Sequence, residues 1–146
     1  MADVVDRATR SRMMAGIQSR NTRPELAVRC YLHAAGLRFV LHSSDLPGRP
    51  DVVFPSRRIA VFVHGCFWHR HPCCRLAASP STRTEFWERK FAANVDRDRR
   101  NHSDLIADGW RVETIWECET RDEACLDELF WRIASVPVRR RPASAY

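Results

Sequence analysis

Between Leu46 and Cys73 the chain reads LPGRPDVVFPSRRIAVFVHGCFWHRHPC, and its last ten residues hold three histidines and two cysteines. Cys66, His71 and Cys73 are thiolate and imidazole donors set close together. That mixture suits zinc, which takes four tetrahedral ligands. One position is left open. Cys118, just after the strand-like Trp110–Trp116, is the leading candidate, with Cys125 and Cys74 in reserve. The competing account is buried free thiols and solvated histidines; the density of donors favours the metal. A structural zinc contributes folding energy on the order of 10 kcal/mol, comparable with the whole stability of a small domain.

A second group lies in the same stretch. Asp51 opens one apolar run and His64 closes the next. If the two runs pair as antiparallel strands, those ends meet, and a carboxylate and an imidazole share a site. Phe67 and Trp68 sit inside the donor-rich run. Either they pack beneath the loop or they project from it. Projecting aromatics beside basic residues wedge between bases or stack on them, at roughly 1–3 kcal/mol per base.

The flanking sequence supplies elements to hold these groups. Thr9–Gln18 has the makings of a short helix carrying Met13 and Met14 beside Arg10 and Arg12, as core cover or as an apolar contact for a base step. Thr22 and Glu25 form a capping box that opens a firm helix, with Pro24 in its first turn and Gly36 at its stop. Its expected buried stripe is Leu26 and Cys30, with Val28 and Leu32. Glu25 serves as a cap partner or as an acid near the site. Leu37–His42 reads as a strand, Asp45–Pro50 as a turn, Asp51–Phe54 as a strand, and Ile59–Val63 as a central strand buried on both faces. Thr82 and Glu85 form a second capping box before a long helix ending at Gly109. Lys90, Asn94, Arg97 and Asn101 share one polar stripe on it, able to hydrogen-bond base edges or simply to face water. Trp110–Trp116 is the fourth strand. Thr120 and Glu123 cap a last helix whose Leu126, Leu129, Phe130 and Ile133 keep helical period. The order α–β–β–β–α–β–α describes an α/β fold, a mixed sheet flanked by helices, with the long helix crossing over to the fourth strand.

A chain of 146 residues with 45% hydrophobic content supports one compact domain, expected over 1–136 with residues 1–21 as an arm and 137–146 as a basic, disordered tail. The net charge of +6, carried far more by arginine than by lysine, favours an acidic partner such as nucleic acid. No apolar run approaches a membrane span, and the start lacks a signal-peptide apolar region. A cytoplasmic setting follows, in which six cysteines indicate metal or free thiols rather than disulfides.

ATRSRMM, LPGRPDVVF, FVHGCFWHRHPC, TRTEFW, NVDRDRR and GWRVETIWEC occur in that order, and together they resemble the very-short-patch-repair (Vsr) mismatch endonucleases over roughly residues 1–135. The resemblance implies a restriction-endonuclease-like fold and a sequence-directed T·G mismatch nickase that cuts 5′ of the thymine. It implies double-stranded DNA as substrate, a monomer acting at the bacterial nucleoid, a cytosine-5 DNA methyltransferase in the same cell, and a mismatch-repair matchmaker as a possible further partner. By position, Asp51 matches a Mg²⁺-binding aspartate, with the backbone carbonyl of Val63 beside it. His64 and His69 match active-site histidines, and Glu25 an acid near them. Cys66, His71, Cys73 and Cys118 match the structural zinc ligands. Met14, Phe67 and Trp68 match intercalating residues, and Lys90 and Asn94 match residues that read the mismatched pair. Val63 stands where a threonine is common. No Asp, Glu or Lys follows Asp51 before Thr84, so the metal must lean on Asp51, backbone, water and phosphate, which Mg²⁺ accepts. A restriction-type nuclease indifferent to mismatches and a non-catalytic, zinc-stabilised DNA-binding module are the other two readings.

Overall fold

The computed structural model describes residues 21–139; the expected Thr9–Gln18 helix, Met13, Met14 and most of the tail lie outside them. Helix α1 (Arg23–Ala34) begins where expected. Thr22 is extended, and its Oγ1 accepts the Glu25 N–H at 3.5 Å, while the Glu25 carboxylate takes the Asn21 N–H at 2.8 Å. Gly36, at φ +98°, ends it. The buried face differs from the expected one. Val28 and Leu32 are fully buried, whereas Leu26 is 44% exposed and Cys30 faces out. Glu25 itself, on the Val28–Leu32 face, takes the inward place nearest the helix start.

Strand β1 is only Val40–Leu41, because His42 turns into the left-handed region at φ +46°. β2 is Val52–Phe54, β3 Ile59–His64 and β4 Arg111–Trp116. Arg58, at φ +57°, makes the tight turn between β2 and β3. The sheet order is β1-β2-β3-β4, antiparallel, antiparallel, then parallel. Helix α2 (Thr84–Ala107) connects the parallel pair, as the alternation of strand and helix requires. Its start differs from the capping box expected at Thr82: Arg83 is the cap residue, left-handed at φ +52°, and makes no side-chain cap bond. Helix α3 (Glu123–Ala134) is likewise capped by Asp122, which accepts the Ala124 N–H, while Thr120 lies in the preceding tight turn.

Two cores follow from the period-two alternation of the strands. Val52, Phe54, Ile59, Val61 and Ile115 face α1 and α3, where Val28, Leu32, Leu126, Leu129 and Ile133 meet them. Val53, Ala60 and Phe62 face the other way, onto Leu105 and Trp110. Each fully buried aliphatic of this kind contributes about 1.5–3 kcal/mol relative to exposure. The alternation also sorts the chemistry. Asp51 shares parity with Val53, and His64 with Phe62, so both fall on the α2 side. β3 is the central strand, buried almost throughout. Among the described residues no helix is long and apolar enough to cross a membrane.

Candidate active site and metal centre

Because β2 and β3 are antiparallel with Val52 opposite Val61, Asp51 lands beside the end of β3. Its Oδ2 accepts the Val63 N–H at 2.7 Å. His64, 5% exposed, stands next along the strand, and Glu117 donates its backbone N–H to the His64 carbonyl just past β4. Asp51, His64 and His69 line one open cavity of about 1300 Å³, together with Glu25, Arg49 and Arg97. The cavity sits outside the carboxyl ends of the parallel strands, where open α/β sheets bind ligands.

The His64 and His69 rings stack in parallel, centroids 3.9 Å apart. His69 Nδ1 lies 2.5 Å from Asp98 Oδ2 on α2. The carboxylate therefore holds the Nδ1–H tautomer and leaves Nε2 as the lone-pair nitrogen. Burial pulls Asp98 upward, but the His69 hydrogen bond and the charges of His69, His64 and Arg97 together hold it below the usual carboxylate range. Burial, reinforced by His69, lowers His64 to about 3, so this imidazole is neutral near physiological pH. Asp51 moves the other way, to about 6, through burial and the nearby Glu25, against the Val63 N–H, His42 and His69. A carboxylate so short of compensating charge is the donor a divalent cation would satisfy.

Glu25 is 3% exposed and both a cap partner and a cavity residue. One oxygen receives the Asn21 N–H, Arg29 at 3.0 Å and His42 at 2.9 Å. Asp98 and His42 were not singled out in the sequence. Asp98 could have been found from helical period, since it shares a face with Asn94 and Asn101. His42 could have been found from hairpin register: its N–H bonds the Asp51 carbonyl at 3.2 Å.

The second cluster lies under the loop after β3. Cys66, His71, Cys74 and Cys118 bring four donor atoms within 4.8 Å of one another. Cys66 Sγ and Cys118 Sγ are 3.6 and 3.5 Å from His71 Nδ1. A tetrahedral ion with ordinary Zn–S and Zn–N bonds sets sulfur and nitrogen about 3.6 Å apart, the spacing that these two contacts have. The expected Cys73 is not part of the group. It sits at φ +54° and is exposed, and that left-handed turn delivers Cys74 inward in its place. Burial pushes the Cys66 thiol up to about 12. Cys74 goes down: burial opposes this, but the Leu76 N–H and the Cys66 and Cys118 thiols favour its thiolate. Cys125 lies away, bonded to Asp122.

Phe67 packs into an aromatic group with Trp87 and Phe91, while Trp68 is 38% exposed. Lys90 sits 5.4 Å over the Trp68 ring, and Asn94 donates to the Trp68 carbonyl at 3.2 Å. The pair on α2 thus borders the aromatic rim, and Arg97 and Asn101 continue the stripe into the cavity.

The family model for the DNA mismatch endonuclease Vsr matches residues 2–75. The DNA mismatch endonuclease Vsr of Escherichia coli (strain K12) is 47% identical over 135 residues, covering 88% of this chain and 86% of that protein. The chain belongs to the Vsr family. Type II nicking enzymes also align with it. V.XorIIP of Xanthomonas oryzae pv. oryzae is 50% identical over 127 residues, 87% of this chain and 93% of that one. V.NmeAIP of Neisseria meningitidis serogroup A is 35% identical over 133 residues, 91% and 94%. This Vsr-family DNA endonuclease carries its mixed α/β sheet, its open cavity and its Cys/His cluster within the aligned length.

Proposed function

We propose that the protein nicks DNA at a T·G mismatch, hydrolysing the phosphodiester on the 5′ side of the thymine, within a restriction-endonuclease-like fold. The observation that carries this is the meeting of Asp51, His64 and the His69–Asp98 pair in one open cavity, flanked by Trp68 and Lys90. Such mismatches arise when 5-methylcytosine deaminates, so a cytosine-5 methyltransferase is the enzyme whose damage it would repair.

A Mg²⁺ held by Asp51 and the Val63 carbonyl would supply charge for the phosphate oxygens and acidify a bound water. The protein's own residues do the rest. His69 Nε2 takes the proton of the attacking water, and Asp98 stabilises the imidazolium that forms. His64, neutral and rigidly stacked, orients the phosphate by hydrogen bonding. Arg49 and Arg97 hold flanking phosphates as charge contacts. Trp68, with Phe67 behind it, wedges into the base step beside the mismatch. A wobble pair is cheaper to open than a Watson–Crick pair, and that difference is the source of selectivity. Lys90 and Asn94 read the exposed edges. Cys66, His71, Cys74 and Cys118 would hold a zinc ion, which would tie the aromatic loop to the end of β4.

Asp51→Ala tests the chemical assignment. Nicking is expected to vanish while affinity for mismatched duplex stays within about threefold, since phosphate contacts dominate binding. Nicking retained at high Mg²⁺ would overturn the assignment.

A further inference from the structure

Glu25, His42 and Asp51 form a third group of donor atoms within 4.8 Å of one another. Nothing in the proposed reaction uses His42. Yet it is held by its backbone as well as by its ring: the N–H bonds the Asp51 carbonyl, and φ is +46°. Such a conformation costs a histidine free energy and is kept where the surroundings demand it. The result is an imidazole aimed at the same space as two carboxylates, one of them almost fully buried, on the cavity wall.

We propose that His42 is a nitrogen donor to the divalent cation on Asp51, with Glu25 as the third protein ligand, and that it shifts this site from Mg²⁺ towards a borderline first-row ion such as Fe²⁺ or Co²⁺. The proposal rests on the reading of Asp51 as the cation holder. Mg²⁺ favours oxygen donors and dehydrates reluctantly, so an imidazole adds little for it. Imidazole with carboxylates suits Fe²⁺ and Co²⁺, and the open cavity leaves positions for water and phosphate. In the present 2.9 Å contact His42 Nε2 donates its proton to Glu25; to bind the ion the ring would change to its Nδ1–H tautomer, which frees the Nε2 lone pair beside Asp51.

The test is calorimetric titration of the full zinc-saturated protein with Co²⁺ and, separately, Mg²⁺. The variants are His42→Asn, which tolerates the left-handed backbone, and Asp51→Ala. The expected result is that Co²⁺ binds more tightly than Mg²⁺, that His42→Asn weakens Co²⁺ by about tenfold or more, and that Mg²⁺ affinity hardly changes. In the unmutated protein, NMR should show one imidazole N–H signal shifted by Co²⁺ and absent from the His42→Asn spectrum. If His42→Asn leaves Co²⁺ binding unchanged while Asp51→Ala abolishes it, His42 is only Glu25's hydrogen-bond partner and the inference is wrong. If Asp51→Ala leaves both titrations unchanged, the cation reading of Asp51 falls, and this inference falls with it.

Discussion

Asparagine in place of Asp51 should stabilise the cation-free protein. The carboxyl rises from 3.8 to about 6 in the folded state, chiefly through burial and the facing Glu25. Between those values the native state binds the proton more readily than the unfolded chain. Stability from this group is therefore present at low pH and is lost as pH rises through about 6. At about 1.4 kcal/mol per unit, the deficit above that range is at most about 3 kcal/mol. Water at the cavity mouth trims it, so a gain of about 1–3 kcal/mol is expected for Asp51→Asn near pH 7.5. Asparagine still accepts the Val63 N–H, so no hydrogen bond is forfeited. Urea unfolding of both proteins with chelator present, at about pH 4 and pH 7.5, measures the difference. The advantage should shrink at the lower pH, and Mg²⁺ should reduce it at the higher one, because the ion stabilises only the aspartate form. A variant that is equally stable or weaker at pH 7.5, with no pH dependence of the gap, would refute the electrostatic reasoning.

Cys74→Ser should lower zinc content and melting temperature sharply, whereas Cys73→Ser should leave both near wild type; metal analysis and thermal melts decide it, and the reverse pattern would restore Cys73 as the ligand. Cys118→Ser should behave as Cys74→Ser does in the same assays. Asp98→Asn should slow nicking by about 10²–10⁴-fold without weakening binding to mismatched duplex, since general-base effects are of that size; single-turnover rates and gel-shift affinities separate the two. Replacing Phe67 and Trp68 together with alanine should cost more affinity on T·G than on C·G duplex, measured by competition binding; equal loss on both would argue against wedging.

Much of the fold was legible because the strands carry strong local signals. The unbroken apolar run Ile59–Val63, bounded by turn residues, suggests a central strand, and the short turn before it suggests its pairing with Asp51–Phe54. The Thr22–Glu25 cap was legible for the same reason, as both partners sit within one turn of helix. The caps expected at Thr82 and Thr120 were not used. Asp122 is itself a preferred cap residue and its carboxylate accepts the Ala124 N–H, whereas the start at Arg83 is set by a left-handed backbone turn and by no cap side chain. Of the stripe expected on α1, Val28 and Leu32 are buried while Leu26 and Cys30 are exposed. A buried glutamate on the cavity wall inverts the usual rule that polar positions face water, and Glu25 shares the inner face with Val28 and Leu32. The choice between Cys73 and Cys74 hung on one left-handed residue, which composition does not announce. Asp98 was legible from helical period and His42 from hairpin register, but their contacts with His69 and Asp51 are given by the fold.

The central claim is tested most directly by mapping nicks on end-labelled duplexes with Mg²⁺, identical except for T·G or C·G at one position, across several cytosine-methylation contexts. A single cut 5′ of the thymine, in the T·G duplex alone, is the predicted result. Cutting both duplexes alike would contradict mismatch selection, and binding without any cut would reduce the cavity to a DNA-binding surface.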